Sequence, residues 1–371
     1  MFREQTRALM VMTALVLTGC TAGNVDDTIT ANHGPRNNRE SVAETPTWTF
    51  SPDMIFPANR SLKRPEDGIA LADGRLIVAD QSDGLRLVSQ DGSTTPFGKM
   101  KEAGYSNDPP DDEGGANGVS LDPTGKYILV SDVYKGGIYR VDAETEATEK
   151  IYQHMYGVNA ARQDSNGGVW FTQSTRNAID KGSQNLWRSV AVPTPDGALF
   201  YLAPKDVGVR LEPIRLEDGF LFANGLALDE KDGYLYLAEM FAGRILRYRL
   251  DVPAGKVSDK TTFYADGRPI DNIELDGNGR LWMALPLQNE IVSIDIATKQ
   301  ATSVFRVSTP KSESTLMEIE VLMREGKPWL ELFTSDVWDP APGAITGMIL
   351  SPNNGPVYVT GLGNAVIKLE R

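Results

Sequence analysis

The feature that most restricts what this chain can fold into is a unit that recurs six times along it. Each copy opens with a polar residue, runs through a short apolar strand, turns near a glycine and returns as a second apolar strand. The copies begin at Glu66, Asn117, Asn159, Asn224, Asp271 and Thr346. The fourth shows the pattern most plainly: Asn224-Gly-Leu-Ala-Leu, a turn at Asp232-Gly233, then Tyr234-Leu-Tyr-Leu-Ala-Glu239. The second pairs Asn117-Gly-Val-Ser-Leu with Tyr127-Ile-Leu-Val-Ser-Asp132, and the fifth pairs Asp271-Asn-Ile-Glu-Leu with Leu281-Trp-Met-Ala-Leu285. In every copy a glycine (Gly74, Gly125, Gly167, Gly233, Gly279 or Gly355) follows the opening residue by eight or nine positions. Glycine is the residue expected where a tight hairpin turn needs positive φ. A third strand follows, as in Gly243-Arg-Ile-Leu-Arg-Tyr-Arg249 and Ala365-Val-Ile-Lys-Leu369.

Successive copies start 51, 42, 65, 47 and 75 residues apart, the length of a four-stranded propeller blade with variable loops. Six such units close into a ring, so the expected fold is all-β, a six-bladed β-propeller over residues 46–371. Thr47-Trp-Thr-Phe50 alternates as a strand does, and is expected to add the outer strand of the last blade and remove an open edge. Two segments exceed the repeat. Residues 174–188 extend the third blade, and residues 307–340 read as an extra hairpin, Leu316–Leu322 with Trp329–Phe333 around Glu325-Gly326. Both are expected over one face, shaping a pocket mouth.

The first 45 residues read differently. Arg3 and Arg7 precede an apolar run from Ala8 to Leu17, about half the roughly twenty residues that a membrane span needs. Residues 1–20 therefore read as an export signal. The run ends Leu17-Thr18-Gly19-Cys20, which resembles the lipobox of bacterial lipoproteins, with Cys20 the acylated residue. Residues 21–45 are polar and mixed, as in a flexible tether. The expected location is the bacterial cell envelope, held to a membrane by the lipid on Cys20. Cys20 is the only cysteine, so the remaining chain has neither a disulfide nor a thiolate ligand or nucleophile. The net charge of −13 repels phosphate backbones and argues against nucleic-acid binding.

In a propeller the first strand of each blade runs along the central channel. The residue before that strand therefore lies at one mouth of the channel, on the same face in every blade. Glu66, Asn117, Asn159, Asn224, Asp271 and Thr346 thus form a ring whose members all carry side-chain oxygen. Oxygen-only donors suit a hard divalent cation, and mixed carboxylate and amide donors match calcium better than zinc. Two histidines and one cysteine in the whole chain leave few zinc donors.

From about Glu66 to Arg371 the sequence resembles the gluconolactonase and regucalcin family, relatives of diisopropylfluorophosphatase and, more distantly, of paraoxonases and strictosidine synthases. Its most specific marks are Ala223-Asn-Gly-Leu-Ala-Leu with Leu235-Tyr-Leu-Ala-Glu239, and Asp271-Asn272-Ile with Leu281-Trp282. The resemblance implies that Glu66, Asn159, Asn224 and Asp271 bind a catalytic calcium. Asn117 and Asn272 are candidates to contact metal or substrate. It also implies Asp271 as general base or nucleophile, and calcium-dependent hydrolysis of a small-molecule lactone or related ester. Paraoxonases carry a histidine where Asn117 stands, and regucalcin-type enzymes carry an arginine where Gly157 stands, which counts against sugar lactones. The competing expectation is a non-enzymatic, envelope-anchored propeller that binds a ligand or protein partner around a structural calcium. His154 reads as packed or surface, and Trp170 and Trp282 as core.

Overall fold

The second strand of every blade is a nearly continuous apolar run because both of its faces are covered. Leu76–Asp80, Val169–Gln173 and Val357–Gly361 are buried at every position. The computed structural model describes residues 46–209 and 212–371, and these form six sheets, antiparallel except for one added edge strand in blade five. The innermost strands are Gly68–Ala70, Ala116–Leu121, Ala161–Gln163, Ala223–Asp229, Ile273–Leu275 and Ile345–Leu350. Each pairs with the strand that follows it, and the sheet grows outward in chain order. Among the described residues no helix is long and apolar enough to cross a membrane.

Six apolar clusters hold the ring, one between each pair of neighbouring blades. Ile77 and Leu85 of blade one meet Val119 and Ile128 of blade two. Trp170 and Leu199 of blade three meet Leu226 and Leu237 of blade four. The sixth blade closes on the first where Ile349 and Tyr358 pack against Leu76 and Val78. Trp170 and Trp282 are core residues, as expected.

Closure differs from the expected form. Trp48–Thr49 does not join the last blade; it runs parallel to Ala301–Arg306 as a fifth strand of blade five. The turn Pro52–Met54 redirects the chain, and the next pair, Ile55–Phe56, completes blade six against Ile367 and Val366. The turn chemistry also departs at one blade. Gly74, Gly125, Gly167, Gly233 and Gly279 have positive φ, whereas in blade six Asn353 (φ 57°) and Asn354 (φ 56°) take that conformation and Gly355 is extended at φ −66°.

The expected hairpin at 316–333 is absent. Residues Pro310–Arg324 form a helix, α2, that follows α1 at Gly182–Ala191 and precedes the short α3 at Ser335–Trp338. A capping box explains it: Thr309 accepts from the Ser312 amide, and the Ser312 hydroxyl accepts from the Thr309 amide, with Pro310 at the first turn. The buried positions Ser312, Thr315, Leu316 and Ile319 follow helical spacing. Trp329–Phe333 holds a single 3-10 turn instead of a strand.

Candidate active site

Each opening residue stands just before or at the start of an innermost strand, where the chain enters the channel. All six are at least 94% buried. The backbone carbonyls of five of them are tied to the preceding blade. The Glu66 carbonyl accepts from Thr360 Oγ1 at 2.8 Å, and that of Asn159 from Ser131 Oγ at 2.6 Å. The Asn224 carbonyl accepts from Thr172 Oγ1 at 2.8 Å, and that of Thr346 from the Asn272 amide at 3.0 Å. The Asp271 carbonyl accepts from the Gly225 amide at 3.4 Å. With carbonyls engaged sideways in this way, the side chains are left to face the channel mouth.

Glu66, Asn117, Asn159, Asn224, Asp271 and Thr346 all line one cavity, bounding about 600 Å³ of space that is partly open to solvent. Four of their buried oxygens, Glu66 Oε2, Asn159 Oδ1, Asn224 Oδ1 and Thr346 Oγ1, have no hydrogen-bond partner among the described residues. The Asn224 amide nitrogen donates to Met240 Sδ at 3.5 Å. Buried acceptors are seldom left unmatched, so several of them converging around two carboxylates ask for a positive partner. Among the described residues no group of three or more His, Cys, Asp or Glu stands ready to share a metal; a cation here would depend on amide oxygens beside the two carboxylates, a donor set that fits a hard ion.

Electrostatics point the same way. Burial and the facing Glu66 push the Asp271 carboxyl well above the usual carboxylate range. Burial likewise raises Glu66, opposed by the neighbouring Arg64 guanidinium. Both carboxyls would fall toward ordinary values beside a dication.

Arg64 is a site residue that the repeat pattern did not single out. Its Nη2 donates to Asn117 Oδ1 at 2.9 Å and lies 3.5 Å from Glu66 Oε2, while its Nη1 donates to the Ala116 carbonyl at 3.2 Å. Its backbone is left-handed at φ 55°, a costly conformation for a side-chain-bearing residue and one that clusters at functional sites. Asn117 commits its oxygen to Arg64 and its nitrogen to the Asn159 carbonyl at 3.2 Å. Asn117 therefore orients Arg64 and the ring. Asn272 is buried beside the ring without lining the cavity. Position 157 is closed to any side chain, since a Cβ there would lie 1.8 Å from the Val133 carbonyl oxygen. The guanidinium at this mouth thus comes from blade one. His154 is packed, its Nε2 3.0 Å from Gln173 Oε1 and its ring 4.9 Å from that of Phe200. Cys20 and the segments 1–20 and 21–45 lie outside the described residues.

The other mouth of the channel holds a wider cavity of about 1020 Å³, also open to solvent. Its one arginine is already engaged: Arg162 lies 3.2 Å from Glu274 and 3.8 Å from Asp67.

Residues 148–317 match a known family, the SMP-30/gluconolactonase/LRE-like region. Asn159, Asn224 and Asp271 fall within that stretch; Glu66 and Thr346 fall outside it. A Bacillus subtilis protein assigned by its name to the sugar lactone lactonases is 27% identical over 170 residues, 43% of this chain and 51% of that protein. The adipocyte plasma membrane-associated protein of Gallus gallus is 23% identical over 227 residues, 58% of this chain and 52% of its own. The matches thus span about half the length of these relatives. Among solved structures, a gluconolactonase from Xanthomonas campestris superposes with a TM-score of 0.56 at 15% identity, covering 84% of this chain and 87% of that one. A luciferin-regenerating enzyme gives 0.56 at 15%, covering 85% and 95%. These two share the fold.

Proposed function

We propose, for a chain that carries the SMP-30/gluconolactonase/LRE-like region over residues 148–317, that it hydrolyses a lactone or related ester at this channel mouth with the help of calcium. The observation that carries the reading is the convergence of buried side-chain oxygens without hydrogen-bond partners, those of Asn159, Asn224 and Thr346, around the two carboxyls of Glu66 and Asp271. Glu66, Asn159, Asn224 and Asp271 would hold the ion, which when bound supplies Lewis-acid polarisation of the substrate carbonyl.

The remaining work falls to the chain. Arg64 favours the anionic form of Glu66 against the cost of burial, and Asn117 keeps Arg64 in place. Asp271 accepts a proton from the attacking water as its oxygen bonds to the carbonyl carbon. When the C–O bond of the ester breaks, that proton passes from the Asp271 carboxyl to the departing alkoxide. The products are a carboxylic acid and an alcohol, one molecule in the case of a lactone. The same proposal places the protein on the envelope through lipid at Cys20, which metabolic labelling with palmitate and its loss in Cys20→Ala would test.

The direct test follows acid release from a panel of lactones and aryl esters with calcium and then with a chelator. Hydrolysis that needs calcium and disappears in Asp271→Asn supports the proposal. Tight calcium binding without turnover on any ester would leave the binding propeller as the better reading. Single turnover in oxygen-18 water separates base from nucleophile, because only a nucleophilic Asp271 acquires the label in its own carboxylate.

A further inference from the structure

We infer that the site takes an ester or lactone with a hydrocarbon body, alkyl or aryl, in preference to a polyhydroxylated one; the inference rests on the hydrolytic reading above. It comes from the contrast between the floor and the walls of the cavity. The floor is polar: Arg64 and the six ring residues. Every other lining residue is apolar, and the only side-chain donors on the walls are the indole N–H groups of Trp187 and Trp329.

The walls are built from the two segments that exceed the blade repeat. Leu186 and Trp187 come from α1, and Trp329 and Phe333 from the stretch after α2. These meet rim residues of the blades, Phe241 and Leu287, in one apolar cluster that also takes in Leu316 and Ile319 of α2. The walls are therefore part of a packed core, with Trp329 only 3% exposed. A substrate whose carbonyl reaches Asp271 must lay its remaining atoms along these side chains. Hydroxyl groups there would lose water and find no acceptor, whereas methylene or aromatic carbon would find matching surface.

The experiment compares δ-decalactone with D-glucono-δ-lactone, which share the six-membered ring and differ in what it carries. The full chain is used with calcium present. A non-hydrolysable alkyl δ-lactam serves as a binding probe, read by tryptophan fluorescence. The expected result is a kcat/KM for δ-decalactone at least ~100-fold above that for the sugar lactone, with lactam binding that weakens about tenfold in Trp187→Ser. Phe333→Ser, on the same wall, provides a second variant should the first misfold. Equal or better turnover of the sugar lactone overturns the inference and leaves the hydrolytic reading intact. So does hydrolysis of lactones without measurable binding of the lactam. Lactam binding that depends on Trp187, with no lactone hydrolysed, upholds the apolar site and overturns the hydrolytic reading. Absence of both binding and turnover overturns both.

Discussion

Asp271 and Arg64 line the same floor, and their substitution separates the proposed chemistry from support. Asp271→Asn removes the proposed proton acceptor and one proposed ligand carboxylate. Turnover should fall by at least ~10³-fold, while circular dichroism and the chelated protein's melting temperature stay near those of the parent. Calcium should then no longer raise the melting temperature, since only an ion that binds the folded state stabilises it. Arg64→Gln leaves Glu66 without its partner. Stability without calcium should drop by about 3 kcal/mol, and calcium should bind about tenfold more tightly because a nearby positive charge is gone. Calorimetric titration reads both. His154 offers a pH test away from the floor. Burial holds its imidazole below its ordinary value, against a hydrogen bond to Gln173 that works the other way. The unfolded chain then takes up a proton more readily than the folded one, so stability declines as pH falls below about 6.5. His154→Gln should flatten that decline, and proton NMR should show the His154 ring still neutral at a pH where a free imidazole is half protonated.

The blade strands were legible in the sequence because each second strand is buried on both faces and each turn sits at a fixed distance from the opening residue. The positions of Glu66, Asn159, Asn224 and Asp271 followed from that same period. Arg64 did not, because it lies outside the repeat and reaches the ring through a left-handed backbone that composition does not announce. Leu316-Met-Glu-Ile-Glu-Val-Leu322 misled for a local reason: its alternation imitates a strand, while the cap at Thr309, seven residues earlier, dictates a helix. Thr309, Pro310 and Ser312 were the signal to weigh, with buried positions spaced three and four apart. Thr309→Ala should therefore cost about 1 kcal/mol in chemical denaturation. The loss should also loosen the apolar wall that α2 supports, raising KM for alkyl lactones more than it lowers kcat.

At the scale of the whole molecule, stability resides in closure. Neighbouring blades share six apolar clusters, and five of the ring carbonyls bind their blade to the one before it. Ile55–Phe56 supplies the last strand of blade six. Deleting residues 46–56 should leave Val366–Leu369 as an exposed edge, with a loss of about 4 kcal/mol from the buried Ile55 and the partly buried Phe56 and Trp48 side chains. An unpaired edge invites pairing with another chain, so the deletion should also elute from size exclusion partly as larger species.

That closing strand has a consequence for the order of events during synthesis. Ile55 and Phe56 leave the ribosome some 310 residues before Ile367 and Val366, the residues that they pair with. Blades one to five can assemble in succession as they emerge, each covering the apolar flank of its predecessor. The two outer flanks, on blade one and on the growing end, stay uncovered until translation has passed residue 369. The nascent chain is therefore an unfinished arc for most of its production, and the ring of residues proposed to hold calcium, which draws on blades one, three, four and five, can be completed only when the arc bends far enough to bring Glu66 opposite Asn224.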